Sequence, residues 1–490
     1  MPSLSDKAGV LIASNFVKYA VGFVMPMVLV RMLTKHDYGT LQQLQLIAST
    51  AVGVLVLGLP GSVYYFYKDD HEYSRVALVQ QTLALLALSG AVTTVALVVF
   101  AGQISDWMSN ALLLRYLPFF ALSVGLSIAD EHFVPFMIAQ NRYLAAVLFE
   151  TGETMVRVLV SVLPLIAGFG LTGLLICVVA LSLTRALVRN GLLLHGIGWR
   201  LRPNQGRSFV REQLAYSIPT SLTNLTSLLG GALDRMIIST NFSTTQYAIY
   251  SVGALQIPLD VIFQGAVANV LRASLPGMIR DGQFAEIVRL LRESTRRLSM
   301  FMLPSFVFLL GFSHEFITLL FTKSYAGSVT VFEIYVWMIP ASMFILSSIP
   351  QSFGHTKSNL YIVAAGNAFH IFASFALLKW VGYLGPAISM VATTYLIIAA
   401  YFMLATRLLK TSPLKLFPLD AAVRVTAAAL LALLISKASF GGTDITLLRM
   451  VLGGALFSIS YLVAAVVLRV FTSRDLALIR RWIGPFGAGK

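Results

Sequence analysis

The chain is poor in cysteine and in catalytic motifs, and both shortages narrow its chemistry. Cys177 is the only cysteine among 490 residues, so one chain can form neither a disulfide nor a thiolate metal site. The seven histidines lack the paired spacing of a zinc site. A glycine-rich tail at 484–490 has the spacing of a phosphate-binding loop but lacks its Ser or Thr and its flanking strand and helix. We therefore expect neither an enzyme nor a cofactor.

Charged residues are also scarce, at 12% against about 25% in soluble proteins. Hydrophobic residues make up 57% of the chain and the mean hydropathy is +0.80. About fourteen apolar stretches reach the length of roughly 20 residues that crosses a bilayer. The first is too long for a signal-peptide core and no cleavage site follows it, so we expect it to remain as the first span. These features predict an all-α polytopic membrane protein with about fourteen transmembrane helices.

Positive charge is unevenly distributed between the two sides of the predicted membrane domain. Lys and Arg number 36 against 21 Asp and Glu, a net charge of +15. An even number of spans puts both termini on one side, and most positive residues fall there, Arg185 and Arg189 among them. Positive residues mark the cytoplasmic face, so both termini are predicted to be cytoplasmic. The net positive charge is then explained by membrane topology and by attraction to anionic membrane lipids, which are the expected partners. Nucleic acid is not expected as a partner.

The sequence repeats at an interval of about 210 residues. Arg31 with the following Tyr38 is matched by Arg235 with the following Tyr247, and Gly173 is matched by Gly385. Each repeat contains six spans, which predicts two lobes of equal orientation related by a pseudo-twofold axis along the membrane normal, with substrate bound between them. The predicted organisation is an N-lobe at 1–198, a basic cytoplasmic linker at 199–212, a C-lobe at 213–410, and a last pair of spans with a basic cytoplasmic tail at 411–490.

Several charged residues lie inside the predicted spans, where hydrocarbon penalises them by at least about 2.5–3.5 kcal/mol each. Lys18 is near the middle of the first span, and Glu150, Glu153 and Arg157 share the fifth; Asp260 lies in the eighth, between residues 247 and 271. They indicate a polar path within the helix bundle. Structural roles stay open, because Glu153 and Arg157 are spaced to pair on one helix face. Asp260 has no evident partner in the sequence.

Arg31 and Arg235 lie near the outer ends of their spans, where snorkelling to headgroups is an alternative to a role in the cavity. Asp130, Glu131 and His132 cluster near the inner end of the fourth span, where bonding to a nearby basic loop is favoured over a proton relay. Three polar runs could line a cavity: Gln42, Gln43 and Gln45; Thr220, Ser221, Thr223 and Asn224; and Thr393, Thr394 and Tyr395.

Landmarks along the whole chain resemble those of the polysaccharide flippases in the multidrug/oligosaccharidyl-lipid/polysaccharide exporter superfamily. They include the turn from Arg31 to Gly39, the segments 57–67 and 138–143, and the seventh span from Pro219 to Arg235. The resemblance continues through Lys357 and Asn367. It implies alternating access and transfer of an undecaprenyl-pyrophosphate-linked oligosaccharide between the leaflets of a bacterial inner membrane. It also leaves room for other polysaccharide-assembly membrane proteins as partners.

A lipid-linked sugar carries a pyrophosphate that needs cations to cross hydrocarbon. Lys18, Arg31, Arg157 and Arg235 are the candidates for holding it, and Glu150, Glu153 and Asp260 are the candidates for ion coupling. One alternative is a cation-coupled multidrug or metabolite antiporter of the same superfamily, in which acids would dominate the cavity. Another is an intramembrane enzyme that joins lipid-linked glycans, which usually needs a larger outer loop than this sequence provides. A flippase is favoured over both.

Overall fold

The computed structural model describes residues 4–67, 75–197, 206–255, 257–440, 447–472 and 475, and all regular structure in these ranges is helical. The helices are α1 (Leu4–Met32), α2 (Lys35–Leu55), α3 (Leu59–Phe66), α4 (Arg75–Val99), α5 (Ala101–Trp107), α6 (Ala111–Ala129), α7 (Phe133–Ala139), α8 (Tyr143–Ile166), α9 (Gly170–Ile197), α10 (Gly206–Asn241), α11 (Thr244–Gly253), α12 (Pro258–Arg280), α13 (Phe284–Gly311), α14 (Ser313–Phe321), α15 (Ser328–Val336), α16 (Met338–Ser342), α17 (Ser348–Ser352), α18 (Thr356–Val381), α19 (Gly385–Leu408), α20 (Pro413–Leu416), α21 (Leu419–Phe440) and α22 (Leu447–Val467). Two short 3-10 helices lie at Lys323–Tyr325 and Gly382–Leu384.

Eight helical segments of the described chain are long and apolar enough to cross a membrane, or nine if α13 and α14, bent by 77° at their junction, count as one. The all-helical membrane architecture is thus confirmed, but the count of fourteen is not. The predicted eighth span is interrupted, because α11 ends at Gly253 and α12 begins at Pro258. Proline is favoured at the first position of a helix. The backbone N–H that proline lacks would find no intrahelical partner at that position in any residue. α8 also falls outside the apolar set, because it carries three charged residues, Glu150, Glu153 and Arg157.

The chain divides by contacts into two compact units. The first comprises Met1–Val252 with Ile371–Pro386, and the second comprises Gly253–His370 with Ala387–Lys490. α10 begins at Gly206, so the last seven residues of the predicted linker at 199–212 are helical. Residues 198–205 and the predicted cytoplasmic tail from 476 onward lie outside the described residues. The predicted lobes at 1–198 and 213–410 and their pseudo-twofold relation remain predictions.

Within the first unit, α4 and α6 pack with their backbones in close contact. Gly90 and Gly125 face each other at the crossing, and a Cβ on Gly125 would lie 2.5 Å from the Gly90 carbonyl oxygen. Thr94 donates from the next turn of α4 to the Ala121 carbonyl at 3.3 Å. Small residues permit this approach, which is how helices gain van der Waals contact when lipid removes the hydrophobic drive between them.

Two buried amide networks hold α10 against the helices that precede it. Gln213 donates to the Ser62 and Thr82 hydroxyls, both at 2.9 Å, and accepts from Gln81 at 2.7 Å. Toward the other end of α10, the Gln43 amide donates to the Ser239 hydroxyl at 2.9 Å. Such networks specify a unique packing because each buried polar group would be costly if left unpaired.

The second unit is built around α13, α21 and α22. The Tyr461 hydroxyl of α22 donates to the Met300 carbonyl of α13 at 2.9 Å, and the Ser436 hydroxyl of α21 donates to the Gly453 carbonyl of α22 at 2.7 Å. Phe308 of α13 packs on Phe457 of α22 with ring centroids 5.1 Å apart. These contacts secure the last two spans, which the sequence repeat does not cover, to a helix of the repeated part.

Past α22, the chain is fastened to α13 by one buried ion pair. Both carboxylate oxygens of Asp475 accept from the Arg296 guanidinium at 2.9 Å, and the Thr472 backbone N–H donates to the same carboxylate at 2.9 Å. Burial raises the pKa of Asp475, but the hydrogen bonds from Thr472 and Arg296 outweigh burial and hold its pKa below the ordinary value. We refer to Arg296, Thr472 and Asp475 as the clasp.

Candidate functional site

Two charged residues from separate predicted spans form an ion pair between α1 and α8. The Lys18 ammonium donates to the Glu150 carboxylate, and the hydroxyls of Ser14 and Thr151 hydrogen bond beside it at 2.7 Å. The side chains of Lys18 and Glu150 remain 32% and 31% exposed. The ion-pair partner of Glu150 thus comes from α1, 132 positions earlier in the chain. The pair therefore retains access to a polar ligand.

A second, more deeply buried network is centred on Glu153 of α8. Its carboxylate accepts from Arg157 in the same helix at 2.9 Å, from Arg185 at 3.1 Å and from Arg189 at 2.6 Å. Asp130, at the end of α6, binds Arg185 at 2.7 Å and lies 3.6 Å from Arg189. The predicted pairing of Glu153 with Arg157 is confirmed. We refer to Asp130, Glu153, Arg185 and Arg189 as the charge network.

The members of the charge network differ sharply from Arg157 in exposure. Side chains in the network are at most 11% exposed, whereas that of Arg157 is 58% exposed. Arg189 also lies over the rings of Phe133 and Phe149, at 5.3 and 5.6 Å from their centroids. Aromatic faces attract cations, so these rings stabilise the buried guanidinium. Arg157 is bound at only one edge and can also meet a ligand.

The sequence predicts Arg185 and Arg189 on the cytoplasmic side, and this placement remains a prediction. α9 runs to Ile197, and the apolar segment Gly170–Leu193 contains both arginines. Their spacing of four residues puts them on one face of the helix. That spacing, together with two acids in neighbouring spans, is the signal by which the charge network could have been found.

His132 is a fully buried member of the acidic turn between α6 and α7. Its ring lies beside the Ala129 backbone carbonyl and the Asn190 side chain, whereas its neighbour Asp130 joins the charge network. The expectation that this cluster bonds a nearby basic loop is wrong for Asp130. Its partners come from α9 and not from a loop.

The other two candidate cations, Arg31 and Arg235, lie in α1 and α10. Arg31, in the last turn of α1, donates to the Met27 carbonyl at 2.5 Å and is exposed. Arg235 is half-buried in α10, next to a buried Asp234 that accepts from the Tyr250 hydroxyl at 3.2 Å. Their roles in binding pyrophosphate remain predictions, and both outer-end positions agree with the snorkelling alternative.

The Asp260 side chain lies outside the described residues, so its predicted role in ion coupling is not addressed by the structure. Within the ranges that are described, no group of three or more His, Cys, Asp and Glu residues could hold a metal ion.

One of the polar runs predicted to line a cavity is used inside the protein. Gln43 is fully buried, donating to Ser239 and to the Met108 carbonyl and accepting from Asn110. It stabilises packing and cannot contact a glycan in this conformation. Gln45 is exposed, and Tyr395 is exposed while its hydroxyl donates to the Trp337 carbonyl at 2.9 Å. The side chains of Thr220, Thr223 and Asn224 lie outside the described residues.

Comparison with known proteins gives one family and one fold. Residues 28–330 match the model of a family described as polysaccharide biosynthesis protein. No curated protein sequence matches the chain. The fold is similar to that of the lipid II flippase MurJ in an inward closed conformation, with a TM-score of 0.74 and 12% identity over 96% of this chain and 99% of that one.

Two multidrug transporter structures share the fold. An inward-facing MATE family transporter of the MOP superfamily has a TM-score of 0.63 and 12% identity, covering 82% of this chain and 94% of that chain. A mutant of the Vibrio cholerae MATE transporter VcmN has a TM-score of 0.56 and 12% identity over 84% and 97% of the two chains. At such low identities the similarity is one of fold.

Proposed function

Because the chain belongs to the polysaccharide biosynthesis protein family, we propose that it is a flippase for an undecaprenyl-pyrophosphate-linked oligosaccharide. It moves this lipid from the inner to the outer leaflet of a bacterial inner membrane by alternating access, with both termini in the cytoplasm. The family resemblance read from the sequence is confirmed. The solved structures described above are those of a flippase and of multidrug transporters, in keeping with a transporter and not an enzyme.

The Lys18–Glu150 pair is the observation that carries the proposal. Two charges that stay about one-third exposed at this depth of a span would be expensive against hydrocarbon, so their exposed sides face water or a polar ligand. A pyrophosphate is an anion, so it can compete with Glu150 for the Lys18 ammonium and displace the carboxylate. Displaced Glu150 then becomes free to take up a proton or cation. Substrate binding and ion coupling would thereby share one pair.

Lys18 of α1 is joined by a second candidate cation, Arg157, which lies in α8 two turns beyond Glu150. Its guanidinium is anchored to Glu153 yet mostly exposed, so it can offer its remaining N–H groups to a phosphate oxygen. The charge network holds Glu153 in place through Arg185 and Arg189. We assign those two arginines a positioning role for Arg157 and not direct contact with substrate.

Substitution of Lys18 tests the proposal in cells that depend on this chain for surface glycan. Lys18→Ala is expected to abolish export while the protein accumulates normally in the membrane, and Lys18→Arg should restore more export than Lys18→Gln because it retains the positive charge. The measurements are surface glycan and membrane abundance, taken from the same cells.

A double variant separates substrate binding from simple neutralisation of Glu150. If Lys18 serves only to pair with Glu150, then replacing both residues by Ala should bring export back, because no uncompensated charge remains. If Lys18 binds pyrophosphate, the double variant stays inactive at normal abundance. Normal surface glycan in Lys18→Ala would overturn the proposed role outright.

The alternative is a cation-coupled antiporter, favoured by the fold shared with MATE transporters. An antiporter of cationic drugs would protect cells from a dye such as ethidium, and protection would depend on Glu150. For a flippase, we expect no change in ethidium resistance on expression of the chain and accumulation of lipid-linked glycan in the inner leaflet on its removal.

A further inference from the structure

Two exposed tyrosines of the first unit stack on each other, and a third, Tyr64, precedes one of them in α3. The rings of Tyr65 in α3 and Tyr216 in α10 are stacked, with centroids 4.6 Å apart and planes inclined by 18°. Exposed fractions are 47% for Tyr64, 44% for Tyr65 and 39% for Tyr216. We name these residues the tyrosine platform; sequence analysis assigned no role to Tyr65 or Tyr216.

The stacked tyrosine rings pack against buried aromatic residues. Phe66 meets the Tyr216 ring edge-to-face at 5.8 Å and the Phe209 ring at 5.7 Å, and both phenylalanines lie in the hydrophobic core. This packing restricts the two stacked tyrosines to one orientation. A surface already ordered loses little conformational entropy when a ligand binds.

A sharp bend before α3 brings the platform to α10. Gly58 has a φ of 66°, in the left-handed region that favours glycine, and separates α2 from α3. A Cβ at this position would lie 2.7 Å from the Ser217 carbonyl oxygen, so the bend touches α10 directly. The close approach sets Tyr65 opposite Tyr216, one residue before Ser217.

The platform adjoins the ion pair that carries the proposed function. The Glu150 carboxylate interacts electrostatically with the Tyr64 phenol, and Glu150 binds Lys18. The Tyr64 phenol therefore lies near Glu150, and α3 and α8 meet in one hydrophobic cluster, which contains Phe66 and against which Phe149 packs. A surface there meets a charged, polar ligand, and tyrosine suits such a position because it combines an apolar ring with a hydrogen-bonding hydroxyl.

We propose that the tyrosine platform binds sugar rings of the lipid-linked oligosaccharide while Lys18 holds its pyrophosphate. One face of a pyranose presents C–H groups of slightly positive charge, which match the negative face of an aromatic ring. The sugar hydroxyls at the rim then meet the tyrosine hydroxyls. The platform distinguishes a glycosylated lipid from the bare pyrophosphate lipid. This assignment rests on the proposed function, since it names the part of that substrate which the platform contacts.

Binding to two lipids tests the platform. The full chain, purified in detergent, is titrated with undecaprenyl pyrophosphate and with undecaprenyl-pyrophosphate-linked oligosaccharide extracted from cells lacking the flippase, and complexes are counted by native mass spectrometry. Tyr65→Ala and Tyr216→Ala should weaken binding of the glycosylated lipid at least about fivefold, as truncation of an aromatic contact residue does. Binding of the sugar-free lipid should stay within twofold.

Conservative variants keep the test decisive if an alanine variant fails to fold. Tyr65→Phe keeps the ring face and should retain most of the preference for the glycosylated lipid, whereas Tyr65→Leu keeps apolar bulk without a ring and should lose it. Tyr361→Ala is the matched control, because Tyr361 is 68% exposed but lies in the second unit. Its binding of both lipids should equal that of the original chain.

The outcomes distinguish the two proposals. If the unaltered chain binds neither lipid, the proposed function fails. If the unaltered chain prefers the glycosylated lipid and Tyr65→Leu keeps that preference, only the platform assignment fails. Equal loss of both lipids in the Tyr65 variants, with a lowered melting temperature, would also overturn the assignment, because the tyrosines would then only support packing.

Discussion

Arg157 and Arg185 contact the same Glu153 carboxylate but lie in different surroundings. Arg157→Ala should leave membrane abundance nearly unchanged. The Arg157 side chain is mostly exposed, and an exposed charge contributes only about 0–1 kcal/mol, while Glu153 keeps Arg185 and Arg189 as partners. Arg185→Ala should strongly reduce abundance, because breaking a buried pair costs about 3–5 kcal/mol. Immunoblots of membranes, with surface glycan measured in parallel, check both expectations.

Export in these two variants then identifies which arginine meets substrate. Loss of export at normal abundance in Arg157→Ala supports contact with pyrophosphate, and unimpaired export would contradict it. Removing Glu153 together with Arg157 is expected to restore neither glycan export nor membrane abundance. Glu153 also binds Arg185 and Arg189, so the double change removes one of the carboxylates that neutralise these two buried cations.

At the scale of residues, sequence reasoning succeeded for local pairs and failed for distant ones. Glu153 and Arg157 are four residues apart, and helical geometry alone predicts their contact. Lys18 and Glu150 are 132 positions apart. No local rule selects that pairing, because it depends on which faces of α1 and α8 meet. The same limit hid the partners of Arg185.

Among whole elements, the crossing of α4 and α6 makes a specific demand on residue size. Gly90→Ala or Gly125→Ala should lower the thermal stability of the purified protein, because each added methyl group meets backbone of the opposite helix. Gly22→Ala is the matched control: Gly22 lies in α1 with no atom within 4 Å of its would-be Cβ. Its stability should be unchanged or slightly raised, since alanine favours helix.

Thermal aggregation midpoints in detergent provide the measurement. Equal midpoints for the Gly90, Gly125 and Gly22 variants would show that α4 and α6 can separate without loss, contrary to the close crossing seen here.

The clasp yields a prediction about charge and pH. Asp475→Asn should destabilise the second unit by about 1.5–3 kcal/mol, the range for hydrogen bonds to a charged group. Because the pKa of Asp475 is lowered, its contribution is present above the ordinary Asp value near 3.9 and is lost only as pH falls through the folded-state value. The clasp should therefore act undiminished between pH 5 and pH 8.

Asp281→Asn is the control for the clasp, because Asp281 is 54% exposed and its partner Arg280, at 3.6 Å, is 83% exposed. Limited proteolysis beyond residue 475 should accelerate in Asp475→Asn and not in Asp281→Asn. Equal cleavage rates would contradict a fastening role for Asp475.

The sequence predicted helix boundaries well only where one apolar run covers the whole helix. Hydrophobic runs located α4, α9, α21 and α22 well, since each is apolar over a full span. The break between α11 and α12 was missed. An apolar run of bilayer length was read as continuous although Gly253 and Pro258 stand at its interruption. Hydropathy measures transfer from water and is insensitive to such local backbone preferences.

The orientation of the whole molecule can be measured because a cysteine-free form needs only one change, Cys177→Ser. In that background, Ser3→Cys and Lys490→Cys should resist a membrane-impermeant maleimide in intact cells, and Gly102→Cys should react. Positive residues retained in the cytoplasm give this expectation. Labelling of either terminus in intact cells would reverse the predicted topology, and labelling after lysis serves as the control for reactivity.

At the scale of the molecule, fold class and family followed from composition and ordered landmarks. The repeat was a weaker guide to how the chain divides by contacts. A repeat records likeness between segments, whereas compact units depend on which helices touch, and α10 is bound by Gln213 and Ser239 to helices of the first repeat. The predicted lobes therefore describe similarity between two segments of sequence, whereas the two compact units describe which helices are in contact.

The charge network also has a consequence for the order of synthesis. Asp130 precedes its partner Arg185 by 55 residues. At about 5–20 residues per second, roughly 3–11 s of translation separate them. During that interval the insertion machinery holds an acidic helix end that has no counterion, so Asp130 must wait at an aqueous surface or be shielded by the translocon. Release of α6 into lipid is thereby coupled to the arrival of α9, and the nascent chain assembles as a group of helices instead of one span at a time.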